Sequence, residues 1–210
     1  MILEAKDECN KLTFTWDNAV DNSWDIHVMQ IPCSAPWKPA AGCLQYFTGK
    51  NNTITWCVSS EEQYCPGTTG ILYSFNYADS LHLTNQQYEV CVRTEEGYCS
   101  ISYSSLSSTS FQISGIAPST SAAIALVGDS CSQDWVSIPG GGQTSGASTS
   151  SDRHCGSYLS YTNSGTSPTT VITNKMPFKV GVNFDGTELD SSSANEWSKG
   201  FAIYYSQTSC

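Results

Sequence analysis

The residues with the most chemistry in this 210-residue chain are its ten cysteines. They are even in number, spread from Cys9 to Cys210, and never spaced as Cys-x-x-Cys. A thiolate metal site brings its ligands in short-spaced pairs, and the three histidines, His27, His82 and His154, stand beside no such pair. Disulfide formation is the chemistry that remains, and it places the chain in an oxidising compartment, most simply outside the cell. Nucleophilic and acid–base chemistry find little to work with. No Gly-x-Ser-x-Gly elbow occurs. His154 adjoins a cysteine, and His27 sits in mid-strand, a surface position rather than a base. The carboxylate pairs Glu61/Glu62 and Glu95/Glu96 lie at expected hairpin tips, where charge is simply solvated. No catalytic residue is assigned, and the chain reads as non-enzymatic. Two further features bear on partners. Asn51-Asn52-Thr53 is a glycosylation acceptor at Asn51 for a chain in the secretory path. Trp37 in "SAPWKPAAG" and Trp197 in "NEWSKG" are aromatic residues in loop-like contexts, where an indole face can stack on a sugar ring.

The charge balance narrows the partners further. Net charge is −10, with nine Lys and Arg in all and no basic cluster. Nucleic acid and anionic membrane surfaces both demand a cationic stripe, so neither is a partner. Charged residues are only 13% of the chain, about half the usual share, and Ser, Thr, Asn, Gln and Tyr fill the polar positions. The longest uncharged apolar run is about "AAIALVG", far short of a membrane span, so no transmembrane segment is expected. "MILEAKDEC" has no apolar core of a signal peptide. The expectation is a mature fragment of a secreted protein.

Strands must position whatever these residues do. "KLTFTW" puts Leu12, Phe14 and Trp16 on one face and Lys11, Thr13 and Thr15 on the other. "ILYSFNY", "YEVCVR", "SISYS", "FQISGI", "WVSIP", "FKVGVNF" and "FAIYYSQ" alternate likewise. Gly, Pro, Asn, Asp and Ser clusters separate them, and no helical periodicity is sustained over 11 residues. The fold class is all-β, with strands short enough for a sandwich. "GGGQTSGASTSS" (140–151) reads as a flexible surface loop. It is Gly-rich, but without a Lys or a following helix it cannot cradle phosphate. "SSLSSTS" (104–110) reads as a second polar connector. An internal echo adds to this: "WDIHVMQIPC" (24–33) and "FAIYYSQTSC" (201–210) share Ile, Gln and Cys at their third, seventh and tenth positions.

Six landmarks in order carry a family resemblance. They are Cys43, "GILYSFNY" (Gly70 to Tyr77), "YEVCVR" with Cys91, "CSQDWVSIPG" with Cys131 and Asp134, "DRHCGSYL" with Cys155, and "NEWSKGFAIYY" (Asn195 to Tyr205). Over residues 43–210 this order resembles a CUB domain, and its wording is similar to secreted arthropod proteins that carry one. The resemblance implies an extracellular CUB-type antiparallel β-sandwich, jelly-roll-like, whose function is binding. The domain layout expected is 1–42, a partial N-terminal sandwich segment and linker, then 43–210, the CUB domain. The domain departs from the family by an insertion at about 50–69, where Cys57 and Cys65 close a local hairpin, and by a longer segment after Gly186.

The same resemblance pairs Cys43 with Cys91 and Cys131 with Cys155. Cys9, Cys33, Cys99 and Cys210 are then left, and sequence alone cannot join them. A rival set, Cys33–Cys43 beside Cys91–Cys99, stays open. Many CUB domains hold calcium through a Glu, two Asp and backbone oxygens. Asp134 and Asp185 match the Asp positions, with Asn195 beside them, but the Glu position falls near Leu126 and Asp129 is out of register. Calcium among Asp134, Asp185 and Asn195 is the one cofactor expected. The function expected is a secreted recognition module for an extracellular protein or glycan. The alternative is a structural subunit of a secreted matrix or fibre. In either case the apolar face of residues 9–33 (Leu12, Phe14, Trp16, Ile26 and Val28) needs a cover, from self-assembly or from the missing part of the chain's own precursor.

Overall fold

The structure, a computed structural model, describes residues 28, 30, 32, 34–35, 43–47, 68–77, 82–113, 124–144, 152–186 and 198–210. Eleven strands form among them. They are β1 (Cys43–Phe47), β2 (Thr69–Tyr73), β3 (Gln86–Val92), β4 (Tyr98–Ser105), β5 (Phe111–Gln112), β6 (Ala125–Val127), β7 (Trp135–Ser137), β8 (Arg153–Gly156), β9 (Val171–Thr173), β10 (Lys179–Phe184) and β11 (Gly200–Ser209). The only helical element among the described residues is a 3-10 turn, Gly128–Ser130. Six strands make one sheet in the order β1-β3-β10-β7-β8-β6. The other runs β2-β11-β4-β9, with β5 paired to the start of β11. Every pairing is antiparallel except β1 with β3, which is parallel.

The two-residue period sets the layers. In β10, KVGVNF, Val180, Val182 and Phe184 turn inward and Lys179, Gly181 and Asn183 turn outward. Tyr88, Val90 and Val136 extend that inner face. Leu72, Ile101, Tyr103, Val171, Ile203 and Tyr205 meet it from the other sheet, and one apolar cluster joins the two. Phe111, Ile113, Ile138, Leu159 and Phe178, all fully buried, fill it out between and beyond the strand ends.

Three disulfides join described residues: Cys43–Cys91, Cys131–Cys155 and Cys99–Cys210. The rival pairing of Cys33 with Cys43 and Cys91 with Cys99 is therefore corrected. Cys91 lies on β3 beside β1, whereas Cys99 on β4 faces the end of β11, where Ser209 pairs with Tyr98. Cys9, Cys33, Cys57 and Cys65 lie outside the described residues. So do residues 9–27 of the strands expected over 9–33, and residues 50–67 of the insertion expected at about 50–69, whose last residue, Thr69, begins β2. Of residues 24–33, Val28, Gln30 and Pro32 are described, exposed and outside any strand.

Three local expectations change. Residues 140–142 are not a free loop. Gly141 and Gly142 are buried, and Gly142 bridges to Ile172. Ser104 and Ser105 belong to β4 rather than to a connector, and buried Ser110 donates to the Ala202 carbonyl (3.0 Å). Glu95 is not simply solvated at a hairpin tip. Its carboxylate pairs with the Arg93 guanidinium (Nε 3.1 Å), and its backbone N–H donates to Gln207 Oε1 (3.0 Å). Gln207 Nε2 donates in turn to the Arg93 carbonyl (2.9 Å), so one amide clasps the turn between β3 and β4.

Candidate functional site

Antiparallel pairing brings five strand ends together at one end of the sandwich. β2 and β10 finish there, and β3, β7 and β11 begin there. The connecting residues at this end are Ser74–Tyr77, His82–Asn85, Asp134, Asp185–Gly186 and Ser198–Lys199. Four of these residues, Ser74, His82, Asp134 and Ser198, are buried polar groups.

Asp134 is the hub. It is fully buried, just ahead of β7. Its Oδ1 accepts the backbone N–H of Asp185 (2.7 Å), which fastens the end of β10 to the start of β7. Its Oδ2 lies 3.5 Å from Nε2 of buried His82. The His82 ring stacks on Phe184, centroids 3.9 Å apart, and its backbone N–H donates to the Ser198 carbonyl (2.7 Å). The Asn85 N–H donates to the Asp185 carbonyl (2.7 Å). On the other sheet, Ser74 Oγ accepts the Phe201 N–H (3.0 Å). Gly200 makes this close approach feasible: its φ is +86°, and a Cβ there would collide with Ser74 Oγ. Buried polar groups satisfied in this way hold loops at fixed positions.

The arrangement brings Asp134 and Asp185 together, as two of the three residues expected around calcium. Asn195 lies outside the described residues, as do Asn51, Trp37 and Trp197. Leu126 packs against the core from β6, and Asp129 is exposed on the 3-10 turn. Among the described residues, no three His, Cys, Asp or Glu side chains are grouped to hold a metal. The group that neighbours Asp134 is instead the imidazole of His82. A hard cation with six to eight oxygen ligands would need donors beyond the described pair of carboxylates. Sequence reasoning missed His82 and Ser198. His82 in "SLHLTN" has no ligand-type neighbour in sequence, and only the fold carries it to Asp134.

His154, by contrast, is deep in the sandwich on β8, far from a surface role. Its Nδ1 lies 2.7 Å from the Ser160 carbonyl, which can only accept, so Nδ1 carries the proton. Burial pushes its pKa down to about 4, against the opposing pull of the Ser160 carbonyl and the Asp152 charge. A neutral imidazole without solvent access is a core group, not a base.

A family model described as "Animal CUB domain" matches residues 59–208 of the chain. The chain belongs to the CUB domain family. No curated protein matches it. The matched span begins after β1, yet β1 pairs with β3 and Cys43 bonds Cys91, so the strand is bound to the CUB sandwich outside the match. The convergent strand ends are the loop end of this CUB domain, with Asp134 and the Gly200–Phe201 pair of the family motif inside it. No helix among the described residues is long and apolar enough to cross a membrane.

Proposed function

We propose that this chain is a secreted, non-enzymatic recognition protein whose CUB domain binds an extracellular protein or glycan. The observation that carries this reading is the loop end. Connections from both sheets are held by buried polar groups, Asp134 beside His82 and the Asp185 N–H in one sheet and Ser74 on the Phe201 N–H in the other, which is how a rigid scaffold presents a binding surface on loops. The three disulfides fit an oxidising compartment. A non-catalytic role agrees with the chemistry of the buried groups: His154 is sequestered, and His82 is packed against Phe184.

The test is binding of the oxidised chain to arrays of extracellular proteins and of glycans, with a size measurement at the same concentrations. Saturable binding by a monodisperse monomer supports the reading. Concentration-dependent growth of the particle without partner binding supports the structural-subunit alternative instead. Saturable turnover of a hydrolase substrate by the purified chain would overturn both.

We propose calcium as the ligand of the loop end itself, through Asp134, Asp185 and Asn195. What favours it is that the Asp185 backbone N–H donates to Asp134 Oδ1, which keeps the two family Asp positions adjacent at the ends of β7 and β10. Calcium that binds only the folded state must raise the melting temperature, and a chelator must lower it again. A melting temperature indifferent to both removes calcium from the account.

A further inference from the structure

We propose that the outer face of the six-stranded sheet carries a subsite for a neutral sugar, in a trough floored by Gly181. This deepens the recognition reading and rests on it. The trough is a cavity of about 380 Å³ on the exposed side of β3, β10 and β7. That volume is at the lower end of the ~300–1,000 Å³ range of small-ligand clefts.

The register builds it. On one row Glu89, Gly181 and Ser137 are cross-strand partners, and on the next row Gln87, Asn183 and Trp135. Strands lie about 4.8 Å apart and outward residues about 7 Å apart along a strand. The two rows therefore frame a rectangle of about 10 Å by 7 Å, the scale of one or two sugar rings. Gly181 makes the depression. With no side chain at the centre of the middle strand, the neighbours form walls, and a Cβ at 181 would collide with Ser137 Oγ.

The lining selects the ligand. Trp135 supplies one apolar aromatic wall, and the Arg153 guanidinium, 4.2 Å from its ring centroid, already covers part of it and fixes the ring. Among the described residues, the Gln87 and Asn183 amides and the Ser137 hydroxyl make no side-chain hydrogen bond. Amides and hydroxyls donate and accept, as sugar hydroxyls do.

Other ligand classes fit worse. An anion would need a free cation, and Lys179 is already 2.6 Å from Glu89 while Arg153 lies on Trp135. A cation would find only that same paired carboxylate. A peptide adding as a strand would need open backbone groups, and those of β10 are used on both sides by β3 and β7. A neutral polyhydroxylated ring needs only what is there: an aromatic wall and several uncommitted donors and acceptors.

The probe is a panel of neutral oligosaccharides of glucose, mannose, galactose and N-acetylhexosamines, titrated into the oxidised ¹⁵N-labelled chain. At least one should bind saturably and shift the side-chain amide resonances of Gln87 and Asn183. Gln87→Ala and Asn183→Ala alter only outward-facing side chains, so the melting temperature should hold while affinity falls about tenfold each, the scale of one or two lost hydrogen bonds. Gly181→Ala, which fills the floor, should abolish binding. A sugar bound with undiminished affinity by all three variants would place the glycan elsewhere, overturning the trough and leaving the recognition reading intact. A panel with no binder overturns the trough too, and the protein array then decides the recognition reading separately.

Discussion

Lowering the pH from 7.5 to 4 removes about 3 kcal/mol from the stability of this fold through His154 alone. The folded imidazole titrates at about 4, held down by burial, against 6.5 when exposed. Between those values the unfolded chain binds a proton that the folded chain refuses, so stability rises with pH across that window and is complete above it. The interval of about 2.5 pH units, at 1.36 kcal/mol each, gives about 3 kcal/mol, of which somewhat under half is gone by pH 5.5. Against a total of 5–15 kcal/mol for an ordinary domain, that is a large share. The assay is urea unfolding of wild type and His154→Gln at pH 7.5, 5.5 and 4. Gln cannot take up the proton, so its own packing cost appears equally at every pH and the difference between the two proteins isolates the imidazole. The stability advantage of wild type should shrink by about 1 kcal/mol at pH 5.5 and about 3 kcal/mol at pH 4. A difference that stays constant with pH would refute the argument that His154 is buried and neutral.

Replacing Cys99 and Cys210 together by Ser opens a loop of 111 residues and should cost about 4–5 kcal/mol by chain entropy, read as a lower urea midpoint; an unchanged midpoint would show that the clasp at Gln207 holds that sheet end unaided. Gly156 has φ +89°, and a Cβ there meets the Ile124 carbonyl, so Gly156→Ala should destabilise by about 1–3 kcal/mol or more, whereas Gly97→Ala, with no neighbour within 4 Å, carries only the backbone penalty. Asp134→Ala strips the acceptor from the Asp185 N–H and removes the carboxylate beside His82, costing about 1–3 kcal/mol and loosening the loop end, seen as faster amide exchange at Asp185.

The fold was legible because a sheet writes its register into the chain every second residue. "FKVGVNF" yields the inward Val180, Val182 and Phe184 and the outward Gly181 and Asn183 without any knowledge of the partner strands. The CUB landmarks likewise locate the strands that carry Cys91 and Cys155 and the turn that ends at Cys131. What stayed hidden depended on which strands become neighbours. Cys99 meets Cys210 only because β4 lies beside β11, a pairing between residues about a hundred apart. His82 reaches Asp134 through the convergence of five strand ends, and no spacing in "SLHLTN" records that. The trough was equally invisible, since Gln87, Trp135, Ser137 and Asn183 come from three strands and only their cross-sheet order makes a concavity. The burial of His154 was not legible either, since His154, Cys155 and Gly156 are all buried in β8 and no alternation marks them.

The position of β11 has a consequence for the order in which the molecule can be made. It is the ten-residue strand between β2 and β4, and it pairs with both. Until it arrives, those two strands have no shared neighbour, and their inner residues Leu72, Ile101 and Tyr103 have no Ile203 or Tyr205 beside them. The six-stranded sheet can close earlier in synthesis, and Cys43–Cys91 and Cys131–Cys155, 48 and 24 residues apart, can oxidise with it. Cys99 must wait as a thiol for residue 210. Until residue 210 is made, the five-stranded half presents open strand edges and an unpaired sulfur at Cys99, the features that invite wrong partners.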